Sequence, residues 1–152
     1  EKVSLAAGGY GMIGGQTIDI ASSGKNIDQD TLFYISTHKT GCLISISLWS
    51  GARLARASKS DLETIKCFGE KIGLIFQIVD DILDVSGNET ILGKPVGSDM
   101  KNMKNTFVHL HGYDNSIKLV DKLSQEAKES ISNYKNNDFF IQLTDFIANR
   151  SY

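Results

Sequence analysis

The chain has 152 residues, 41% of them hydrophobic and 22% charged, which is enough for one domain with a real core and too apolar for a disordered chain. Its net charge of −2 gives no reason to expect nucleic acid or an acidic membrane surface as a partner. No apolar run reaches the ~18–20 residues of a membrane span, no signal-peptide pattern is expected at the N-terminus, and Cys42 and Cys67, without metal-type spacing, suggest a reducing, cytoplasmic setting.

The chain opens on Glu1 and runs directly into an apolar, Gly-rich segment, as if it begins inside a longer protein. Gly9-Tyr10-Gly11-Met12-Ile13-Gly14 fits the G-x-G-x-x-G dinucleotide pattern. Lys2 to Ala7 could pass for the preceding strand, and Asp28 or Asp30 stands near the expected acidic offset. That pattern needs a βαβ unit, and the rest of the chain offers helices. A nucleotide-binding module is therefore a remote alternative. The glycines at Gly8, Gly9, Gly11, Gly14 and Gly15 are better read as places where a helix or its turn approaches a neighbour closely.

A helix is predicted from Asp28 to near Gly51, with Leu32, Ile35, Cys42, Leu43, Ile46 and Trp49 on its apolar face. Ile44-Ser45-Ile46-Ser47-Leu48 alternates as a strand does, but the helical period holds over the wider window. Lys39 falls on the apolar stripe, one turn from both Ile35 and Leu43. An inward-pointing lysine needs an anion, and a diphosphate suits a point charge of this kind. The plainer reading is a snorkelling lysine whose stem covers the core while its head reaches water.

Ser60-Asp61-Leu62-Glu63 matches a capping box, and an apolar pattern continues from there to Val85 and stops at Gly87. This predicts one central, buried helix of about 25 residues, or about 38 Å. Between Gly87 and Lys104 lies a long irregular stretch with Gly93, Pro95 and Gly97 that carries Lys94, Lys101 and Lys104. Loops of that length are often functional lids, although solvated loop lysines are the ordinary case. Residues 112–135 carry an amphipathic pattern through Ile117, Val120, Ala127, Ile131 and Tyr134. A last helix from Asp138 is expected to bury Phe139, Phe140, Leu143, Phe146 and Ile147. The expected fold class is all-α. His38, His109 and His111 do not cluster as zinc ligands.

The most telling segment is Phe76-Gln77-Ile78-Val79-Asp80-Asp81-Ile82-Leu83-Asp84. A buried carboxylate costs several kcal/mol unless it is paired or binds a metal. No Lys or Arg stands between Lys71 and Lys94, so these aspartates need a cation from elsewhere. At about 100° per residue, Gly73, Gln77, Asp80 and Asp84 share one stripe with Asp81 at its edge. Like charges one turn apart destabilise a bare helix, and a divalent cation reverses the sign. Mg²⁺ typically takes one or two carboxylates and completes its shell with water and substrate phosphates. Carboxylates beside a lysine-rich loop therefore suggest a Mg²⁺-bridged phosphate ester. A helix-cap cluster or a solvated acidic face is the alternative. Gln77 could orient an aspartate, face a substrate or be a buried amide satisfied by backbone.

Taken together, Gly14-Gly15-Gln16 with Asp19, His38-Lys39-Thr40-Gly41, Phe76 to Asp84, Gly93-Lys94-Pro95-Val96-Gly97-Ser98-Asp99 and Lys104-Asn105-Thr106 resemble the trans-isoprenyl diphosphate synthases, bacterial farnesyl and geranylgeranyl diphosphate synthases in particular. The motifs follow family order and spacing across essentially the whole chain. After Thr106, where the family commonly has an aromatic residue and then proline, Phe107 is followed by Val108.

The resemblance implies an isoprenoid synthase-type helical bundle around a central cavity, usually a homodimer. It implies that three Mg²⁺ ions bind an allylic diphosphate between two aspartate-rich motifs, and that isopentenyl diphosphate attacks the allylic cation formed by ionisation. Asp80 and Asp84 match metal ligands of the second motif, with Asp81 as a nearer outer candidate. Lys39 and Lys94 match lysines that grip the diphosphate, Thr40 and Gln77 match residues beside the developing cation, and Asp99 and Lys104 match residues of the lid. No second Asp-Asp-x-x-Asp occurs in the sequence. Residues 1–152 are accordingly expected to be the C-terminal half of a polyprenyl synthase domain and to be inactive alone. A class I terpene cyclase or a non-catalytic subunit of the same fold is the alternative; a cyclase usually lacks the lysines matched by Lys39 and Lys94.

Overall fold

The computed structural model describes residues 1–86 and 104–150, and every regular element among them is helical. The elements are α1 (Lys2–Ala7), α2 (Met12–Ser22), α3 (Gln29–Ser36), a π-helical turn (Thr37–Gly41), α4 (Cys42–Leu54), α5 (Lys59–Ser86), α6 (Phe107–His111), α7 (Tyr113–Ser130) and α8 (Asp138–Ala148). Lys2 to Ala7 is a helix and not a strand, so the glycine pattern after it lacks the βαβ setting a dinucleotide needs. Ile44 to Leu48 lies inside α4. Gly87, Gly93, Lys94, Pro95, Gly97, Asp99 and Lys101 fall outside the described residues.

α5 is the organising element. It runs 28 residues, about 42 Å at 1.5 Å per residue, and packs on α4 along one side and α7 along another. Phe68, Ile75 and Ile78 on α5 are fully buried, and Ile72 nearly so. Leu32 from α3, Phe107 from α6, Val120 and Ala127 from α7, and Ile131 just beyond it close the core. Phe33 meets Phe107 edge to face at 5.2 Å, and Phe68 meets Phe140 at 5.4 Å, geometries favoured by the ring quadrupole.

Helix starts follow local hydrogen bonding. Asp28 caps α3 by accepting from the Thr31 N–H at 2.8 Å. For α5 the cap stands two residues earlier than Ser60. The Asp61 N–H donates to Ser58 Oγ, and the Ser58 N–H donates back to Asp61 Oδ2, both at 3.2 Å. Tyr134 Oη, from the segment between α7 and α8, also donates to Asp61 at 2.8 Å. The α8 pattern is corrected more strongly. Phe139 and Phe146 are 65% and 73% exposed, while Thr144 is fully buried with its hydroxyl donating to the Phe140 carbonyl.

These caps set an acid dependence. The Ser58 hydroxyl first and the Tyr134 hydroxyl second hold the Asp61 carboxyl below its ordinary value, and Thr31 does the same for Asp28. A carboxyl with a lowered folded pKa contributes stability that is complete above its unfolded value, about 3.9, and is lost as pH falls through the folded value. The Tm of Asp61→Asn should therefore lie below that of the parent near neutral pH and converge on it in acid, as pH falls through the lowered folded value. A thermal denaturation series across pH measures this, and a Tm gap that does not narrow in acid contradicts it.

Candidate active site

Two helices of this fold are pinned against the π turn by glycine. A Cβ added at Gly15 on α2 would stand 2.3 Å from the Lys39 backbone nitrogen, and one at Gly73 on α5 would stand 2.5 Å from the Gly41 Cα. Only hydrogen fits at both places. The turn between them carries Lys39 and Thr40. A π turn inserts a residue into the helical repeat and re-aims the side chains around it. Accordingly Ile35 is buried while Leu43, which a uniform helix would put on the same face, is 36% exposed.

The turn faces a cleft of about 160 Å³ whose lining includes Asp19, Lys39, Gln77, Asp80, Asp81 and Lys104. Lys39 Nζ donates to Asp19 Oδ2 at 2.7 Å. The inward lysine thus has an anionic partner, Asp19, which the sequence places in a motif without a role. The half-buried Thr40 hydroxyl donates to Gln77 Oε1 at 3.0 Å, Gln77 Nε2 donates to Asp81 Oδ1 at 2.9 Å, and the Phe107 N–H donates to Asp81 Oδ2 at 2.8 Å. Gln77 therefore orients against an aspartate, one of the roles left open for it.

The three aspartates of α5 do not share one environment. The Asp80 side chain is 39% exposed and lines the cleft; Asp81 is 4% exposed, with both oxygens accepting hydrogen bonds; Asp84 is 2% exposed and is not among the lining residues. A cation reaches Asp80 from far along the chain. Arg150 Nη2 stands 3.7 Å from Asp80 Oδ1 and donates to the Phe76 carbonyl at 2.7 Å, with its guanidinium over the Phe76 ring at 3.9 Å. Sequence reasoning missed Arg150, because a contact across 74 positions leaves no periodic trace. Lys104 lines the cleft as expected; Lys94 lies outside the described residues.

Among the described residues no three His, Cys, Asp or Glu groups gather where they could cage a metal. The donor set instead suits a hard cation that takes one or two carboxylates and fills its shell with water and phosphate oxygens, since Asp80 lies in a cleft that also offers lysines to phosphate. Cysteine chemistry is not part of the site. Burial first and the Glu70 carboxylate second push the Cys42 thiol up, which keeps it protonated near neutral pH. Among the described residues no helix is long and apolar enough to cross a membrane.

A family model described as Polyprenyl synthetase matches residues 5–138. The chain is 42% identical over 143 residues to a geranylgeranyl diphosphate synthase of Cyanophora paradoxa, covering 93% of this chain and 48% of that one. It is 38% identical over 153 residues to a farnesyl diphosphate synthase of Bacillus subtilis, covering 100% of this chain and 52% of that one. A solved structure of a Helicobacter pylori geranyltransferase complexed with magnesium and isoprenyl diphosphate aligns with a TM-score of 0.80 at 30% identity, over 94% of this chain and 47% of that chain. The chain spans about half the length of the curated relatives it matches. Matched by that family model over most of its length, with the same helical architecture as a solved relative, the chain belongs to the polyprenyl synthetase family.

Proposed function

We propose that the chain supplies the C-terminal half of a prenyltransferase domain, which joins an allylic diphosphate to isopentenyl diphosphate to give a longer polyprenyl diphosphate. The observation that carries this reading is the convergence of Lys39, Lys104, Gln77 and Asp80 on one cleft. That lining mixes cations for a diphosphate with a carboxylate for its counter-ion.

Asp80 would hold Mg²⁺ from the cleft, with Asp84, buried one turn on, standing behind it as the second carboxylate of the motif; the ion supplies positive charge to the departing diphosphate. Lys39 adds a second charge by exchanging Asp19 for a phosphate oxygen, a short movement for a flexible stem. Lys104 and Lys94 take further phosphate oxygens. As the carbon–oxygen bond of the allylic diphosphate breaks, Gln77 Oε1 and Thr40 Oγ1 present lone pairs to the carbon that becomes cationic. Such preorganised dipoles stabilise developing charge without reorganisation. The π electrons of isopentenyl diphosphate then form the new carbon–carbon bond, and a proton leaves. The metal set of three ions, the first aspartate-rich motif and a homodimeric assembly belong to the same proposal. The exposed apolar side chains Val3, Leu5, Ile13, Ile20 and Leu43 on α1, α2 and α4 support further packing partners of that kind.

Labelled isopentenyl diphosphate with dimethylallyl diphosphate tests the proposal. The full-length polypeptide that contains these residues should give longer prenyl diphosphates only with a divalent cation, and the 152-residue chain alone should give none. Absence of prenyl product from the full-length protein, or equal turnover in chelator, overturns it.

A further inference from the structure

Asp81 lies beside the proposed metal ligand, yet its geometry gives it a different task. A carboxylate only accepts hydrogen bonds, so the Gln77 group 2.9 Å from Asp81 Oδ1 has to be the NH₂ end. That fixes the other end of the amide as the carbonyl, and it is this oxygen that accepts from Thr40. The second carboxylate oxygen is equally constrained. The Phe107 N–H lies in the first turn of α6, has no acceptor within that helix, and donates to Asp81 Oδ2 instead. Asp81 is thus the one group that must accept on both oxygens, and its charge dictates the direction of every hydrogen bond from Phe107 to Thr40.

We infer that Asp81 is a positioning residue. It locks the Gln77 amide so that acceptor lone pairs, not N–H groups, stand beside the carbon that becomes cationic. The role assigned to that carbon rests on the prenyl-transfer reading; the direction of the hydrogen bonds does not.

Asparagine at position 81 reverses the direction. Its single acceptor oxygen is claimed by the Phe107 N–H, which leaves its NH₂ facing Gln77. Gln77 must then turn its carbonyl toward position 81 and its NH₂ toward Thr40 and the cleft. Glutamate at position 77 repairs this, because a carboxylate accepts both from the asparagine NH₂ and from Thr40, and the pair keeps the same total charge. The isolated Gln77→Glu variant instead sets two carboxylates about one hydrogen bond apart.

The test compares Asp81→Asn, Gln77→Glu and the double variant in the full-length protein. Asp81→Asn should lower kcat on the order of 10²-fold, with KM for both substrates and the Mg²⁺ concentration for half-maximal rate little changed. The double variant should recover at least about tenfold of that loss. Its Tm should exceed that of Gln77→Glu, a readout that needs no turnover and so judges the hydrogen-bond pattern even where the prenyl-transfer reading fails. Should Asp81→Asn not fold, the comparison of the double variant with Gln77→Glu carries the same decision. A double variant no better than the worse single in both Tm and kcat overturns the inference. So does a large rise in Mg²⁺ requirement in Asp81→Asn that Gln77→Glu leaves uncorrected, since that is the behaviour of a metal ligand.

Discussion

Asp80→Ala in the full-length protein is expected to lower Mg²⁺-dependent kcat on the order of 10³-fold or more, the scale seen when a preorganised charge-stabilising group is removed from an active site. The variant should retain its helical content and its Tm within a few degrees. The geometry separates this effect from simple unfolding. Asp80 is part-exposed at the cleft rather than enclosed in the core. Arg150, its cationic neighbour, keeps a 2.7 Å hydrogen bond to the Phe76 carbonyl and its seat on the Phe76 ring without it. The 3.7 Å approach between the two is long for an ion pair. Arg150→Met should therefore change kcat far less than Asp80→Ala does. Steady-state kinetics across a Mg²⁺ titration measures both. Near-normal turnover in Asp80→Ala, or an equal loss in Arg150→Met, contradicts the ligand role of Asp80.

That the aspartates of α5 stand out in the sequence is a matter of cost, which falls on the buried Asp81 and Asp84. Charged groups among Ile78, Val79, Ile82 and Leu83 need partners, so the segment signals chemistry before any coordinates. The long buried helix is legible for a related reason: its apolar period continues over many turns and no proline interrupts it. Its start is misplaced because Ser58-x-x-Asp61 and Ser60-x-x-Glu63 overlap, and a pattern of spacing cannot choose between two valid boxes. The side chain of Tyr134 is bonded to the one that is used. Leu43 shows a different limit. A wheel with a constant period carries the stripe of Ile35 straight through Lys39, but the π turn shifts the faces between α3 and α4. Nothing in Thr37-His38-Lys39-Thr40-Gly41 announces such an insertion locally.

The roles of the three aspartates are illegible for a further reason. Sequence spacing places Asp80 and Asp84 on one stripe, yet what distinguishes them is tertiary. The Phe107 N–H and Gln77 decide the fate of Asp81, and Arg150 stands beside Asp80. Phe139 and Phe146 teach the same lesson for packing. An amphipathic period says that a face is apolar, not which residues within this chain cover it.

Gly15→Ala is the second variant with a large expected effect, and a companion substitution gives it a sign test. Its new Cβ would lie 2.3 Å from the Lys39 nitrogen, 2.8 Å from the His38 Cβ and 2.9 Å from the His38 carbonyl carbon. Two of these three are backbone atoms, which cannot swing aside as a side-chain tip can. Either α2 or the π turn must retreat, and overpacking of this kind costs about 1–3 kcal/mol. At about 2–4 °C per kcal/mol for a chain of this size, Tm should fall visibly. Gly51 on the exposed side of α4 is the opposite case, with nothing within 4 Å of the added Cβ. There alanine removes backbone freedom from the unfolded chain and should raise stability by about 0.5–1 kcal/mol. The same chemical change is thus expected to move Tm in opposite directions at the two positions. Because Gly15 bears on the backbone of Lys39, its variant should also raise KM for the allylic diphosphate more than it lowers kcat, whereas Gly51→Ala should leave both unchanged. A Gly15→Ala protein as stable as its parent with an unaltered KM would mean that α2 does not fix the position of Lys39.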